Sequence, residues 1–173
     1  MSASRPQPLR IWELLAALVD GGVELLVIGG VAVGVHGFER ATKDIDIVPS
    51  PDAGNIERLF AVLEGLGGEP IELQELHAKE LPVALSAAGL AQGGNWFLAT
   101  RLGRVDVMQF IDGILEGIDD YRALDSRALP LDTPVGTVRF AGYEDLLRMK
   151  YAAGRDQDLV DVRALREARG DLG

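Results

Sequence analysis

Asp44 and Asp46 are the residues whose type and spacing most directly suggest chemistry. They sit one residue apart in the apolar run Asp44-Ile45-Asp46-Ile47-Val48-Pro49. Strand side chains alternate between faces, so the two carboxylates point the same way, ~6–7 Å apart along the strand. Like charges this close require a cation between them, or a proton on one. Oxygen ligands of this kind suit Mg²⁺. A strand beginning near Arg40 would also put Arg40 and Thr42 on that face. Asp106 stands inside a second apolar run, Val105-Asp106-Val107-Met108. An aspartate there works against strand propensity, so it reads as a third ligand on a neighbouring strand rather than a solvent-facing residue. Three such acids could hold two Mg²⁺ ions ~3.5–4 Å apart, with Mn²⁺ as a substitute.

Several elements must bring these groups together. Leu25 to Ile28 reads as a buried strand, followed by Gly29-Gly30 and a short small-residue helix from Val31 to His36. Glycines before a helix N-terminus let an anion approach free amides. Ahead of them, Leu9 to Asp20 carries a helical stripe (Ile11, Leu14, Leu15, Leu18 and Val19). Pro51-Asp52 opens another helix with Ile56, Leu59, Phe60, Leu63 and Leu66 inward. Glu69 to Gly94 reads as an irregular lid with a helix from His77 to Ala88. Trp96–Thr100 and Val105–Phe110 form a hairpin around Gly103. Ile114 to Leu124 is a short acidic helix, and Leu129–Leu131 with Val135–Phe140 a second hairpin. Two helices close the chain, broken at Gly154-Arg155. Leu146 and Leu147 flank Lys150 on the first. On the second, Leu159, Val162 and Leu165 face inward, and Asp158 is placed to meet Lys150. His36 reads as packed or hydrogen-bonded rather than catalytic.

Composition narrows the class. At 173 residues the chain can bury about two-thirds of its unfolded surface. Residues 1–8 read as a flexible tail and 9–173 as a single domain. There is no cysteine, which excludes disulfides and thiolate metal sites. No apolar run approaches the ~20 residues of a membrane helix, and no leader is legible, so the expected location is the cytoplasm. A formal net charge of −10 argues against generic duplex binding, which relies on many Lys/Arg–phosphate contacts. A local patch from Arg101, Arg104 and Arg127 could still meet an RNA end.

Gly29-Gly30 followed by Arg40-x-Thr42-x-Asp44-Ile45-Asp46 resembles the signature of the polymerase-beta-type nucleotidyltransferase superfamily. Within it, the chain looks most like the abortive-infection nucleotidyltransferases, the toxin halves of some toxin–antitoxin pairs. Asp145 and Lys150 match that type's helical Asp-x-x-x-x-Lys motif, and Asp158 the acid one turn into the next helix. The resemblance implies an α/β (α+β) fold, a mixed sheet flanked by helices with a C-terminal helical pair. It implies Asp44, Asp46 and Asp106 as catalytic metal ligands. Gly29, Gly30, Arg40, Thr42, Lys150 and Asp158 would meet the nucleotide. The implied activity moves a nucleoside monophosphate from an NTP to a hydroxyl on RNA such as a tRNA 3′ end, on a protein, or on a small molecule, with an antitoxin as a partner. The alternative is a non-catalytic nucleotide- or partner-binding module on the same fold. One departure stands out: the superfamily's usual pair is Gly-Ser, and here Gly30 replaces the serine.

Overall fold

The computed structural model describes residues 7–71 and 84–171. Among them the order is α1 (Ile11–Asp20), β1 (Leu25–Ile28), α2 (Gly29–Val35), β2 (Asp44–Pro49), α3 (Ala53–Gly65), β3 (Glu69–Pro70), α4 (Ala87–Ala91), β4 (Trp96–Thr100), β5 (Gly103–Val107), α5 (Ile118–Ser126), β6 (Leu129–Thr133), β7 (Gly136–Phe140), α6 (Tyr143–Ala153) and α7 (Asp156–Arg169). The strands form one mixed sheet, β3-β4-β5-β2-β1-β7-β6. β2 runs antiparallel to β1 and parallel to β5, so the two aspartate-bearing strands are central neighbours. This is the expected α/β architecture with its C-terminal helical pair.

Alternation along β2 separates core from site. Ile45 and Ile47 are fully buried and point away from Asp44 and Asp46. With Leu14, Leu18, Leu26, Leu59, Leu63 and Val105 they form the core, and α1, α3, β2 and β7 pack around it. Asn55, itself fully buried, ties β1 to β2. Its Nδ2 donates to Glu24 O (2.8 Å) and Ser50 O (2.9 Å), and its Oδ1 accepts from Glu24 N (2.7 Å). Asp52 caps α3 by accepting from Asn55 N. On the site side α2 packs on β2 and α6, and α6 on α7.

Three local expectations change. β2 begins at Asp44, not Arg40, because Thr42 Oγ1 donates to Asp44 O (3.0 Å) and holds a bend there. The acidic helix begins at Ile118, after a bridge between Ile111 and Leu115. Leu159 is half exposed rather than inward. The buried stripe of α7 is Asp158, Asp161, Val162 and Leu165, because two carboxylates there have buried partners on other elements. Of the lid, Glu69–Pro70 is a short edge strand and Ala87–Ala91 a helix. The helix expected from His77 to Ala88 lies mostly outside the described residues, as do residues 1–6 of the tail.

Candidate active site

The parallel ladder between β2 and β5 fixes the acids. Asp46 pairs opposite Asp106, and Asp44 opposite Arg104. Alternation then puts Asp44, Asp46, Arg104 and Asp106 on one face. Ile28, the residue before the glycine pair, lies opposite Asp46. Gly29 takes φ +65°, and a Cβ built on it would lie 2.0 Å from Asp46 Oδ2. Both the left-handed backbone and the carboxylate against it require glycine here. A Cβ on Gly30 would meet the Arg40 guanidinium at 3.1–3.2 Å and Thr42 Oγ1 at 3.2 Å. Side chains from the β2 approach thus fill the space over Gly30, where the resembling superfamily carries a serine.

A cavity of about 1000 Å³ opens over this face. Gly29, Gly30, Arg40, Thr42, Asp44, Asp46, Asp106, Lys150 and Asp158 all line it, so the metal-ligating and nucleotide-binding residues expected from the sequence border one space. Phe97, Met108, Phe110 and Ile111 give its far wall an apolar surface, and Lys43 and Asp112 also border it. Asn95 holds that wall. Its Oδ1 accepts from Gln109 N and Phe110 N, and its Nδ2 donates to Phe110 O.

The charges are arranged unevenly. Burial, then the neighbouring Asp44 and Asp106 carboxylates, push Asp46 up to about 7. Burial also raises Asp106, against the pull of Arg104. Arg104 grips Asp106 by both oxygens, Nε to Oδ1 at 2.7 Å and a terminal nitrogen to Oδ2 at 3.0 Å, and stands 3.8 Å from Asp44 Oδ2. On the helical side, buried Lys150 donates to Asp158 Oδ1 and pairs with Asp161 Oδ2, each at 2.9 Å. Arg40 binds both oxygens of Asp161 (2.7 and 2.8 Å), and Arg155 binds Asp158 (2.7 Å). Burial opposes ionisation of Asp161, but its bonds from Arg40, Lys150 and Gln157 hold it at about 2. Asp158 is held low in the same way by Arg155 and Lys150.

Asp161, fully buried behind the cavity wall, is an acid that the sequence reading misses; it holds two residues that do line the cavity, Lys150 and Arg40. Its signal is the spacing Asp158-x-x-Asp161-Val162-x-x-Leu165, in which two acids fall on the apolar stripe. Asp145 is buried by a bidentate pair with Arg127 and a bond from Arg148, and it does not border the cavity. The three arginines expected as a patch differ in their surroundings. Arg101 donates to Gly65 O, Arg127 is held by Asp145, and of the three only Arg104 lines the cavity. His36 is packed as expected, with Nε2 donating to Ala141 O (2.8 Å) and its ring edge-on to Tyr143.

The donor set suits a divalent cation. Three carboxylates share a face and a cavity, and burial together with two like-charged neighbours disfavours the ionised form of Asp46. As placed, no group of three His, Asp or Glu side chains among the described residues is arranged to hold a metal ion. Arg104 binds both oxygens of Asp106. An ion ligated by Asp106 would share that carboxylate with the guanidinium.

The mixed sheet flanked by helices is shared with solved adenylyltransferases. ANT(2″)-Ia in complex with adenylyl-2″-tobramycin superposes with TM-score 0.57 at 18% identity, covering 93% of this chain and 88% of that one. The lincosamide antibiotic adenylyltransferase LnuA, lincomycin-bound, gives TM-score 0.58 at 15% identity, covering 95% and 99%. Residues 10–166 match the family described as "nucleotidyltransferase of unknown function" (DUF6036), and the chain belongs to that family. No curated protein matches it in sequence. No helix among the described residues is long and apolar enough to cross a membrane.

Proposed function

We propose that this chain is a metal-dependent enzyme that transfers a nucleoside monophosphate from an NTP to an acceptor hydroxyl. The observation that carries this reading is the in-register meeting of Asp44, Asp46 and Asp106 beside the Gly29-Gly30 corner. Asp44, Asp46 and Asp106 would hold Mg²⁺ or Mn²⁺, whose charge would lower the pKa of the acceptor hydroxyl and neutralise the phosphates. The rest is positioning and charge complementarity, the main demands of phosphoryl-type transfer. The acceptor oxygen forms a bond to the α-phosphorus, the α–β anhydride bond breaks, and pyrophosphate leaves. The hydroxyl proton passes to a carboxylate on the sheet face.

The Gly29-Gly30 turn lets phosphate oxygens come close to backbone amides. Lys150 has three N–H bonds. Two point at Asp158 and Asp161, which leaves one for the cavity. Arg40 sits over Gly30, and Thr42 fixes the bend that leads into Asp44.

The acceptor we place first is a hydroxyl-bearing small molecule, seated against the apolar wall of Phe97, Met108, Phe110 and Ile111. Two neighbours of this fold were solved with an antibiotic or its adenylyl adduct, which supports that order. An RNA 3′ end such as that of tRNA, or a protein hydroxyl, follows it. The abortive-infection resemblance adds the further reading of a toxin with an antitoxin partner. The test is label transfer from each α-labelled NTP with Mg²⁺ to bulk RNA, protein and small-molecule fractions. The wild type should transfer label, and Asp44→Ala and Asp46→Ala should not. Transfer that persists in both variants refutes the mechanism. Nucleotide binding without transfer to any fraction would favour the non-catalytic module instead.

A further inference from the structure

Arg104 has no role in the reading above, yet it is ion-paired with two of the three carboxylates on the sheet face. We propose that Arg104 is a positioning residue that weakens divalent-metal binding to the nucleotide-free enzyme, because its guanidinium and the ion compete for the same oxygens. This rests on the metal site proposed above.

The competition follows from the strand register. Arg104 lies opposite Asp44 and two residues before Asp106 on the same face. Its fork engages both oxygens of Asp106 at 2.7 and 3.0 Å, and its Nε reaches within 3.8 Å of Asp44 Oδ2. A planar guanidinium matches a carboxylate in this way where a compact ammonium does not. The Asp106 side chain is only 8% exposed, so water substitutes poorly for that fork. An ion ligated by Asp106 would share that carboxylate with a guanidinium a few ångströms away, so each weakens the hold of the other.

An arginine whose hold on Asp106 is weakened also has somewhere to rest. Its guanidinium carbon already lies 5.7 Å from the centre of the Phe97 ring, and Phe97 pairs opposite Asp106 on β4. From there it faces the cavity in which the nucleotide is proposed to bind. A nucleotide would therefore give Arg104 a new anionic partner as it surrenders Asp106. Metal would load together with the nucleotide rather than ahead of it.

The test is Mn²⁺ titration of the purified full-length chain by calorimetry, without nucleotide and with a non-hydrolysable NTP analogue. It compares wild type, Arg104→Gln, Arg104→Lys and Asp44→Ala. Without nucleotide, R104Q should bind Mn²⁺ about tenfold more tightly than wild type, the scale of one charge-assisted bidentate pair. R104K should fall between them, and the analogue should bring wild type and R104Q to within about threefold. A merely structural role would make R104Q bind Mn²⁺ more weakly. Unchanged or weaker affinity in R104Q, with native circular dichroism, overturns the inference. Should R104Q not fold, R104K carries the test, and wild-type affinity in R104K overturns it. Mn²⁺ binding that is absent throughout, or indifferent to D44A, instead refutes the metal site on which the inference rests.

Discussion

Replacing Lys150 with methionine keeps the length of the side chain and removes its charge. The Lys150 side chain is 6% exposed, and its partners Asp158 and Asp161 are 1% and 0% exposed. Removing one partner from a buried ion pair costs about 3–5 kcal/mol, because the other charge is left uncompensated. Here Arg155 still binds Asp158, and Arg40 and Gln157 still bind Asp161. The lower end of that range, about 3 kcal/mol at pH 7, is therefore expected. In a chain of this size that corresponds to a fall in Tm of roughly 6–12 °C. The sign of the pH dependence follows from the same contacts. Asp161 is held at about 2 and Asp158 below its ordinary range, so their ionised forms stabilise the fold above pH ~4. That stabilisation is lost as the pH falls towards 2. Without the ammonium, both carboxylates take up protons at higher pH, and the difference between K150M and wild type should shrink below pH ~4. Urea melts of both proteins at pH 7 and pH 3 measure this. A difference under ~1 kcal/mol at pH 7, or an equal difference at both pH values, would mean that the ammonium does not hold the helical pair together.

Other perturbations probe the sheet face and the helix orientation. Asp46→Asn should stabilise the protein in EDTA at pH 8, because burial and two neighbouring carboxylates raise Asp46 to about 7. The folded state keeps a proton that the unfolded chain releases between pH ~4 and ~7, so the penalty grows over that window. The gain has an upper bound of about 4 kcal/mol at pH 8. It should vanish near pH 4, and thermal melts across that range check the slope. Gly29→Ala places a methyl 2.0 Å from Asp46 Oδ2 at φ +65°. It should lower stability by at least ~1–2 kcal/mol from the backbone alone and abolish transfer; a wild-type melt would contradict the geometry. Leu159→Ser should change stability by no more than about 0.5 kcal/mol, and Leu165→Ala should cost ~2–5 kcal/mol. Equal effects in urea titrations would show that α7 is rotated from the orientation described.

The site is legible in the sequence where a side chain's face depends only on strand alternation. Asp44 and Asp46 must share a face once Ile45 and Ile47 are core, and an acid inside Val105-Asp106-Val107 runs against strand propensity unless it has work at that face. That β5 lies parallel to β2, with Asp106 opposite Asp46, is a matter of topology that no local pattern encodes. The bend before β2 is hidden because Thr42 looks like a strand residue until its hydroxyl is seen on Asp44 O. Leu159 defies its pattern because hydrophobicity normally sets a helix's inward face. On α7 the partners of two acids set it, and those partners lie eight residues away on α6 and 121 residues away at Arg40. Arg104 reads in the sequence only as part of a surface patch, because the expected strand starts at Val105 and leaves it in the turn, whereas β5 begins at Gly103.

The net charge of −10 is therefore distributed in a way that bears on mechanism. Buried acids on the helices are matched by several cations each: Asp158 by Lys150 and Arg155, Asp161 by Lys150 and Arg40, Asp145 by Arg127 and Arg148. On the sheet face Asp44 and Asp106 share the single guanidinium of Arg104, and Asp46 beside them is raised accordingly. A fold selected only for stability would gain by neutralising Asp46, as the asparagine variant should demonstrate. The uncompensated charge instead lies beside the Gly29-Gly30 corner, in a region where a divalent ion would remove the penalty. The same deficit that destabilises the metal-free protein would thus supply the affinity for the ion, and Arg104 limits that deficit until the nucleotide arrives.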